Sequence, residues 1–372
     1  MQKIYFGENT VNIANEIKQI LPRNVLIITD LSFYEICGAK NWIEPFLSDG
    51  KIHYFFDFET NPKYEDLKKG ILFCCKNKID LIIAVGGGSV IDMAKLVRVF
   101  AYSDIDTVNA IENNIVSFHK QKIPLIAIPT TAGTGSESTH FAVIYIEQKK
   151  YSVAHELILP DYAVIFPRFT YNNPKYLTAC TGVDALCQAI ESYWSVKSTE
   201  ESRKYAKEAI QILWKYLPLA LDNQSEARNK VAFASNLAGK AINISFTTAA
   251  HAYSYGFTTY LKIPHGHAVS LTLPYFFNVN NKITSKNCND YRGVEFVRER
   301  MSELSELLKG HSKKTEVNLC NFFDSLFNGY EIDTKIRDDL WNNIVLSVNV
   351  QRLQNNPVKL EAHIKKENLK WE

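Results

Sequence analysis

Residues 80–95 constrain this chain more than any other stretch. Asp80-Leu81-Ile82-Ile83-Ala84-Val85 is a short apolar run, the pattern of a parallel strand buried on both faces. It breaks into Gly86-Gly87-Gly88-Ser89 and then into helical periodicity at Val90, Ile91, Ala94 and Val97. A strand that ends in glycines and opens a helix suits an anion. The glycines let the backbone approach a ligand, and the first N–H groups of the helix face it. Ser89 and Asp92 have capping-box spacing and are expected to fix the helix start. The turn is not a Walker A loop, since no G-K-[ST] follows. Nor is it the G-x-G-x-x-G fingerprint, since Ile91 stands at the third glycine's place. On this segment alone, a capped strand–helix turn without a ligand stays open as the alternative.

Around the turn, strand-like and helix-like patterns alternate. Residues 25–30, 52–56, 80–85 and 124–129 read as strands, and 9–21, 62–77 and 89–101 as helices. Such alternation predicts a parallel sheet with helices on both faces. Residues 1–7 are also strand-like, and 141–147 with 150–154 predict a hairpin around Gln148-Lys149. Past residue 176 the strand signal fades. Helices are expected at 181–195, 199–216, 223–242, 245–260, 290–309, 315–328 and 333–348. The expected organisation is an α/β domain over 1–176 and an all-helical domain over 177–372, parted near Asn172-Asn173-Pro174. A ligand is expected in the cleft between them, outside the carboxyl ends of the strands.

The bulk numbers exclude several classes. In 372 residues, 46% hydrophobic and 22% charged residues are ordinary for a soluble globular protein. A net charge of +2 gives no field to attract nucleic acid or an acidic membrane, and Lys313-Lys314 near His311 reads as a solvated loop. No apolar run approaches the roughly 20 residues of a membrane span. Seven cysteines follow no metal or disulfide spacing. Cys74-Cys75 read as core and Cys180 with Cys187 as one helix face, usage that fits a reducing compartment. The start is not a signal peptide, so a cytoplasmic protein is expected.

A second constellation lies in the helical half. Asp184 and Gln188 are four apart, so on a helix they share one face, and Glu191 continues it. His251 and His265 follow. One carboxylate, one amide oxygen and two imidazoles form a mixed oxygen and nitrogen set suited to a borderline divalent ion such as Fe²⁺, Zn²⁺ or Ni²⁺. The set has meaning only if the fold brings it together. His53, His119, His155, His311 and His363 are expected to be surface or core residues without such a role.

These motifs, in this order, resemble the iron-containing (group III) alcohol dehydrogenases. The carrying residues are Gly86-Gly87-Gly88-Ser89 with Asp92, Ala94 and Lys95, and Pro129-Thr130-Thr131-Ala132-Gly133-Thr134-Gly135-Ser136-Glu137. Gly182, Asp184-Ala185-Leu186, His251 and Pro264-His265-Gly266 complete them. The narrower segments 138–141, 191–202, 239–245 and 264–268 look like the branch that reduces 2-phosphonoacetaldehyde to 2-hydroxyethylphosphonate. The resemblance implies an α/β N-terminal domain with a parallel dinucleotide-binding sheet and an all-helical C-terminal domain, the dehydroquinate synthase-like layout.

It also implies roles. NAD(H) would meet Gly86, Gly87, Gly88, Ser89 and Asp92, with Thr130, Thr131 and Thr134 on its phosphate and nicotinamide side and Lys150 as a further cofactor candidate. Asp30, at the end of the strand 25–29, would accept hydrogen bonds from the adenine ribose and repel a 2′-phosphate, so NADH is expected over NADPH. Asp184, His251 and His265, with Gln188, would hold one divalent metal, Fe²⁺ first and Zn²⁺ or Ni²⁺ as alternatives. His267 is the first choice for proton delivery, because a histidine titrates near neutral pH, and Tyr255 the second. Lys240, in an otherwise apolar helical stretch, is expected to read the substrate's negative charge, with His140, Asn243, Ser245 and Thr247 as weaker candidates. The partners expected are a small anionic aldehyde or alcohol and a second copy of the chain in a homodimer.

Two departures stand out. Most of the family has histidine where this chain has Gln188, and commonly a second histidine where it has Tyr255. Competing readings are a reductase of sulfoacetaldehyde, a semialdehyde or a simple primary alcohol, a dehydroquinate synthase-like lyase, and a cofactor-binding regulator without catalysis.

Overall fold

A computed structural model describes residues 2–47, 50–116, 122–147, 149–330, 332 and 338–360. His119, His363, Gln148 and the first five residues of the helix expected at 333–348 lie outside the described residues. The chain divides into two compact units, Met1–Asn173 and Pro174–Glu372.

The first unit carries strands β1 (Lys3–Phe6), β2 (Asn24–Thr29), β3 (Lys51–Phe55), β4 (Leu81–Gly86), β5 (Leu125–Pro129), β6 (Phe141–Ile146), β7 (Lys149–Ala154) and β8 (Tyr162–Ile165). Its helices are α1 (Ile13–Ile20), α2 (Leu31–Ile36), α3 (Ala39–Ile43), α4 (Tyr64–Lys76), α5 (Gly88–Phe100) and α6 (Thr107–Glu112). Six strands form one parallel sheet in the order β1-β8-β5-β4-β2-β3. Strand side chains alternate between faces. Leu26, Ile28, Ile82, Ala84, Leu125 and Ala127 pack with α4 and α5 in one buried cluster. Val25, Ile27, Leu81, Ile83, Val85, Ile126 and Ile128 pack with α1, Tyr34 and Ile43 in the other. Two buried faces explain why these strands read as continuous apolar runs. β8 was not anticipated. β6 and β7 pair antiparallel, Phe141 opposite Ala154, as the hairpin pattern predicts.

The topology fixes where a ligand belongs. The chain runs from β2 outward to β3, then returns to β4 on the other side of β2. That reversal leaves a crevice at the carboxyl ends of β2 and β4, the usual ligand position in an open parallel sheet. Asp30 follows β2, and the glycine turn follows β4.

The second unit is helical among its described residues: α7 (Lys175–Trp194), α8 (Glu200–Leu221), α9 (Ser225–Ser245), α10 (Ala249–Leu261), α11 (His265–Asn281), α12 (Val294–Leu307), α13 (Thr315–Leu326), α14 (Asp338–Leu346) and α15 (Val350–Gln354). α7 starts two turns earlier than expected, directly after Pro174, whose fixed φ suits a helix start. α7 and α8 touch at Gly182, where a Cβ would lie 2.2 Å from Leu217 Cδ1. No described helix is long and apolar enough to cross a membrane.

Candidate cofactor turn and metal centre

In the first unit β4 runs into the glycines. Thr130 N donates to Gly86 O (3.0 Å), tying the ends of β4 and β5 together. The capping box does not form. Gly87 is the N-cap of α5, without a side-chain cap. Ser89 Oγ instead accepts the Asn61 N–H (3.1 Å), and Asp92 faces the opposite way. Its oxygens take the Ser136 hydroxyl (2.5 Å) and the Val143 N–H (2.9 Å). The first N–H groups of α5 therefore keep the open geometry of an uncapped helix start, which suits an anion. Gly88 has a steric reason: a Cβ there would meet Thr134 Cγ2 at 2.7 Å. This close approach brings the threonine segment against the turn.

Lys95 completes the support. It is fully buried and donates to Ser136 Oγ (2.9 Å), Thr139 Oγ1 (3.0 Å) and Phe141 O (2.8 Å). Burial pushes its ammonium down to about 8, against the pull of Asp92 and Glu137. Thr130 is buried, Thr131 and Thr134 are half-buried, and Thr134 Oγ1 accepts the Ser136 N–H (3.2 Å). The Lys150 charge on β7 reaches Asp92. Asp30 is exposed and caps α2, its Oδ1 accepting the Phe33 N–H (3.0 Å). His140 is half-buried, edge-on to Phe141 at 5.9 Å.

In the second unit α7, α10 and α11 bring Asp184, His251 and His265 together. One ligand atom from each lies within 4.8 Å of the others. Asp184 Oδ1 is 3.2 Å from His251 Nε2 and 3.8 Å from His265 Nε2. The enabling residue is Gly266. A Cβ there would sit 1.8 Å from Cys180 O, so only glycine lets the start of α11 lie against α7. Gln188, one turn beyond Asp184, donates Nε2 to Asp184 Oδ2 (3.2 Å). Its Oε1 is buried and lacks a hydrogen-bond partner. A buried amide oxygen without a hydrogen-bond partner, one turn from Asp184 in the carboxylate–imidazole cluster, together with that cluster makes a donor set that fits a divalent ion.

Glu191 orients the set. Its Oε2 bonds His251 Nδ1. Its Oε1 accepts from Thr248 N (3.1 Å), Thr248 Oγ1 (2.7 Å), Ala250 N (2.9 Å) and His251 N (3.3 Å) at the start of α10. A carboxylate at a helix N-terminus is favourable, and its bond to Nδ1 leaves Nε2 facing the cluster as the ligand atom. Burial disfavours the His251 imidazolium, but Glu191 and Asp184 outweigh it and raise the ring to about 9. The sequence placed Glu191 on the Asp184 face and gave it no role. The signal available was the i, i+4, i+7 spacing.

The expected proton donors fare differently. His267 is buried, stacked on Phe327 with ring centroids 3.7 Å apart, and bonded through Nδ1 to Tyr176 Oη (3.0 Å). Burial lowers it to about 4, so it is neutral at pH 7. The expectation that it titrates near neutrality is corrected. Tyr255 stacks nearly parallel on His265, centroids 5.5 Å apart, and its hydroxyl bonds the Thr247 side chain. Burial raises its phenol, which keeps its proton.

The substrate candidates are dispersed. Lys240 is half-buried with its ammonium 5.6 Å from the centre of the Tyr205 ring, toward α8. Asn243 is half-buried on α9. Ser245 bonds Ser192 Oγ (2.8 Å) and Ala241 O (3.0 Å), and Thr247 O accepts from Asn355 (3.0 Å). His155 caps a short turn, His53 lies near Asn24 and His311 is exposed.

A parallel sheet with a glycine turn at its reversal in one unit, and a carboxylate–imidazole cluster in a separate helical unit, are the parts of a metal-dependent oxidoreductase. Comparison with known proteins gives the family. Residues 1–167 match the family "Iron-containing alcohol dehydrogenase" and residues 178–343 match "Fe-containing alcohol dehydrogenase family, C-terminal". Long-chain-alcohol dehydrogenase 1 of Geobacillus thermodenitrificans is 34% identical over 279 residues, 74% of this chain and 71% of that one. Against four further curated relatives, the match spans 34% to 64% of their length. An iron-containing alcohol dehydrogenase of Thermotoga maritima superposes with a TM-score of 0.84 at 29% identity, over 99% of this chain and 95% of that one. Sulfoacetaldehyde reductase of Bifidobacterium kashiwanohense, solved with NAD⁺, gives 0.82 at 27% identity over the same shares. The chain belongs to the iron-containing alcohol dehydrogenase family.

Proposed function

We propose that this enzyme reduces 2-phosphonoacetaldehyde to 2-hydroxyethylphosphonate with NADH at one divalent ion, Fe²⁺ first. The observation that carries the metal-dependent reading is the Asp184, His251 and His265 cluster beside the orphaned Gln188 Oε1. In this reading the first unit binds the dinucleotide and the second binds metal and substrate. When bound, the ion supplies Lewis acidity for the carbonyl oxygen and the nicotinamide supplies hydride.

The chain's own residues do the rest. Gly86, Gly87, Gly88 and Ser89 hold the pyrophosphate at the start of α5. Asp30 meets the adenine ribose with the oxygen its helix cap leaves over. Asp184, His251 and His265 hold the ion, with Gln188 Oε1 as the fourth ligand. Glu191 keeps the His251 tautomer. Tyr255, whose buried phenol keeps its proton and stacks against His265, would deliver the proton, while neutral His267 shares a hydrogen bond with Tyr176. Seven free thiols suit a reducing cytoplasm, and a homodimer is the expected assembly.

The test is NADH oxidation against two-carbon aldehydes ending in phosphonate, sulfonate, carboxylate or methyl. Phosphonoacetaldehyde is expected to give the highest kcat/KM. The highest value with acetaldehyde would sink the reading. The sulfonate is the second reading, favoured by the sulfoacetaldehyde reductase neighbour. For the cofactor, Asp30→Gly is expected to move preference from NADH toward NADPH, and a wild type that prefers NADPH would overturn the Asp30 assignment.

A further inference from the structure

The carboxylate behind His251 is itself held in place, and the groups that hold it donate no ligand. Glu191 and Trp194 stand three residues apart on α7, and Thr248 and His251 three apart at the start of α10. Residues at this spacing share a helix face. The two faces meet, and all four residues are at most 2% exposed.

Thr248 is the N-cap of α10, yet its side chain makes no cap bond. A threonine in this position ordinarily accepts an N–H of the first turn. Here Glu191 does so instead, and its Oε1 takes Thr248 N (3.1 Å), Ala250 N (2.9 Å) and His251 N (3.3 Å). The displaced hydroxyl has a different task. It donates to Glu191 Oε1 (2.7 Å) and accepts the Trp194 indole N–H (2.9 Å). Chemistry fixes the direction of both bonds. An indole nitrogen only donates, so the hydroxyl must send its one proton toward the carboxylate.

The result is one buried chain. It runs from Trp194 Nε1 through Thr248 Oγ1 to Glu191 Oε1, and Glu191 Oε2 bonds His251 Nδ1. With four donors on Oε1 the carboxylate has one orientation, and so has the imidazole bound to its other oxygen. That orientation leaves His251 Nε2 3.2 Å from Asp184 Oδ1. Trp194 also packs edge-on against Phe277 of α11, with ring centroids 5.8 Å apart. It therefore touches both helices that carry the imidazoles, α10 and α11.

We propose that Thr248 and Trp194 are positioning residues for the metal centre: through Glu191 they hold the His251 ring so that Nε2 is presented to the ion. The threonine acts by its hydroxyl and not by its shape, and the indole acts by aligning that hydroxyl. This rests on the reading of the Asp184 cluster as the metal centre and deepens it by assigning part of its affinity to residues outside the ligand set.

The experiment uses the full chain, stripped of metal and titrated with Co²⁺. Affinity is read by competition with a chelator, and ligand geometry by the visible absorption of the bound Co²⁺. Thr248→Val keeps the shape and removes the hydroxyl, so Co²⁺ affinity should fall about tenfold and the absorption band should shift. Thr248→Ser restores the hydroxyl and should return to within about threefold of wild type. Trp194→Phe should weaken Co²⁺ binding about threefold, and joined to Thr248→Val it should add little, since both act through one chain. A Thr248→Val protein with wild-type affinity and spectrum would overturn the proposal. So would a serine variant no better than the valine one, because packing would then be the cause. Should the valine variant not fold, Trp194→Phe decides: weaker binding with a shifted band supports the proposal, and wild-type binding overturns it. If Asp184→Ala binds Co²⁺ as tightly as wild type, the metal-centre reading itself has failed and the proposal falls with it.

Discussion

The glycine turn and the metal cluster are built in opposite ways. The turn is contiguous: β4, three glycines and α5 supply it within one stretch, and its working groups are backbone N–H donors. The cluster is assembled from three helices far apart in sequence, and its working groups are side chains. In the turn, added bulk is excluded at Gly86 and Gly88, where a Cβ would meet Val90 at 2.5 Å and Thr134 at 2.7 Å. The cluster depends on Gly266 for its helix approach and on the contacts that orient each ligand. Backbone sites are set by local sterics, and side-chain sites by long-range packing and the partners of each ligand.

The sharpest way to break that contrast is Asp184→Ala. The only anionic ligand goes, so metal content by elemental analysis should fall close to zero and activity by about a thousandfold or more. NADH affinity by fluorescence titration should stay within about threefold if the turn is independent. A parallel collapse of NADH binding would show that the two regions are one cooperative site.

Next comes Glu191→Ala, which leaves His251 Nδ1 and the donors of Thr248, Ala250 and His251 without their acceptor. Metal affinity should weaken by about 10–100-fold although no ligand is removed. Unchanged metal affinity would mean that helix packing alone orients His251.

Gly88→Ala probes the turn. The added methyl meets Thr134, so NADH affinity should fall by about tenfold with metal content intact. Adding Thr134→Ala should restore much of it, and a double variant no better than the single one would refute the steric account. Gln188→His sharpens the cluster from the other side: an imidazole in place of the amide should tighten metal binding by about tenfold. Loss of metal in that variant would exclude position 188 from the ligand set.

The smallest effect is a pH dependence. Lys95 holds its proton less tightly in the fold, about 8, than in the unfolded chain at 10.5. Between these values the unfolded state binds more protons, so the Lys95 contribution to stability increases as pH rises from 8 to 10. The melting temperature of the wild type, relative to Lys95→Met, should climb over that window. A constant difference would mean that Lys95 titrates normally.

What the sequence revealed follows the same contrast. Alternating apolar runs and the glycine break disclosed the parallel sheet and the turn, because both are local and periodic. The shared face of Asp184 and Gln188 was legible through helical spacing, and the meeting of Asp184 with His251 and His265 was expected from their chemistry together with the family resemblance. Ser89 and Asp92 misled, because capping-box spacing is blind to partners such as Asn61, Ser136 and Val143. His267 misled because its lowered pKa comes from burial against Phe327, which no spacing encodes.

The burial of Lys95 decides where this molecule is open to evolutionary change. Its three bonds weld α5 to residues 136–141, so the floor beneath the glycine turn behaves as one cast piece. Single substitutions there must either be neutral or disturb the whole piece. Asp30 lies outside those bonds: its side chain is exposed and accepts the Phe33 N–H as the cap of α2. Replacing a helix cap by serine or glycine costs at most a few tenths of a kcal/mol. On the proposed role of Asp30, a change of dinucleotide preference would take one edit at a surface position and would leave the residues proposed to hold the phosphates unaltered.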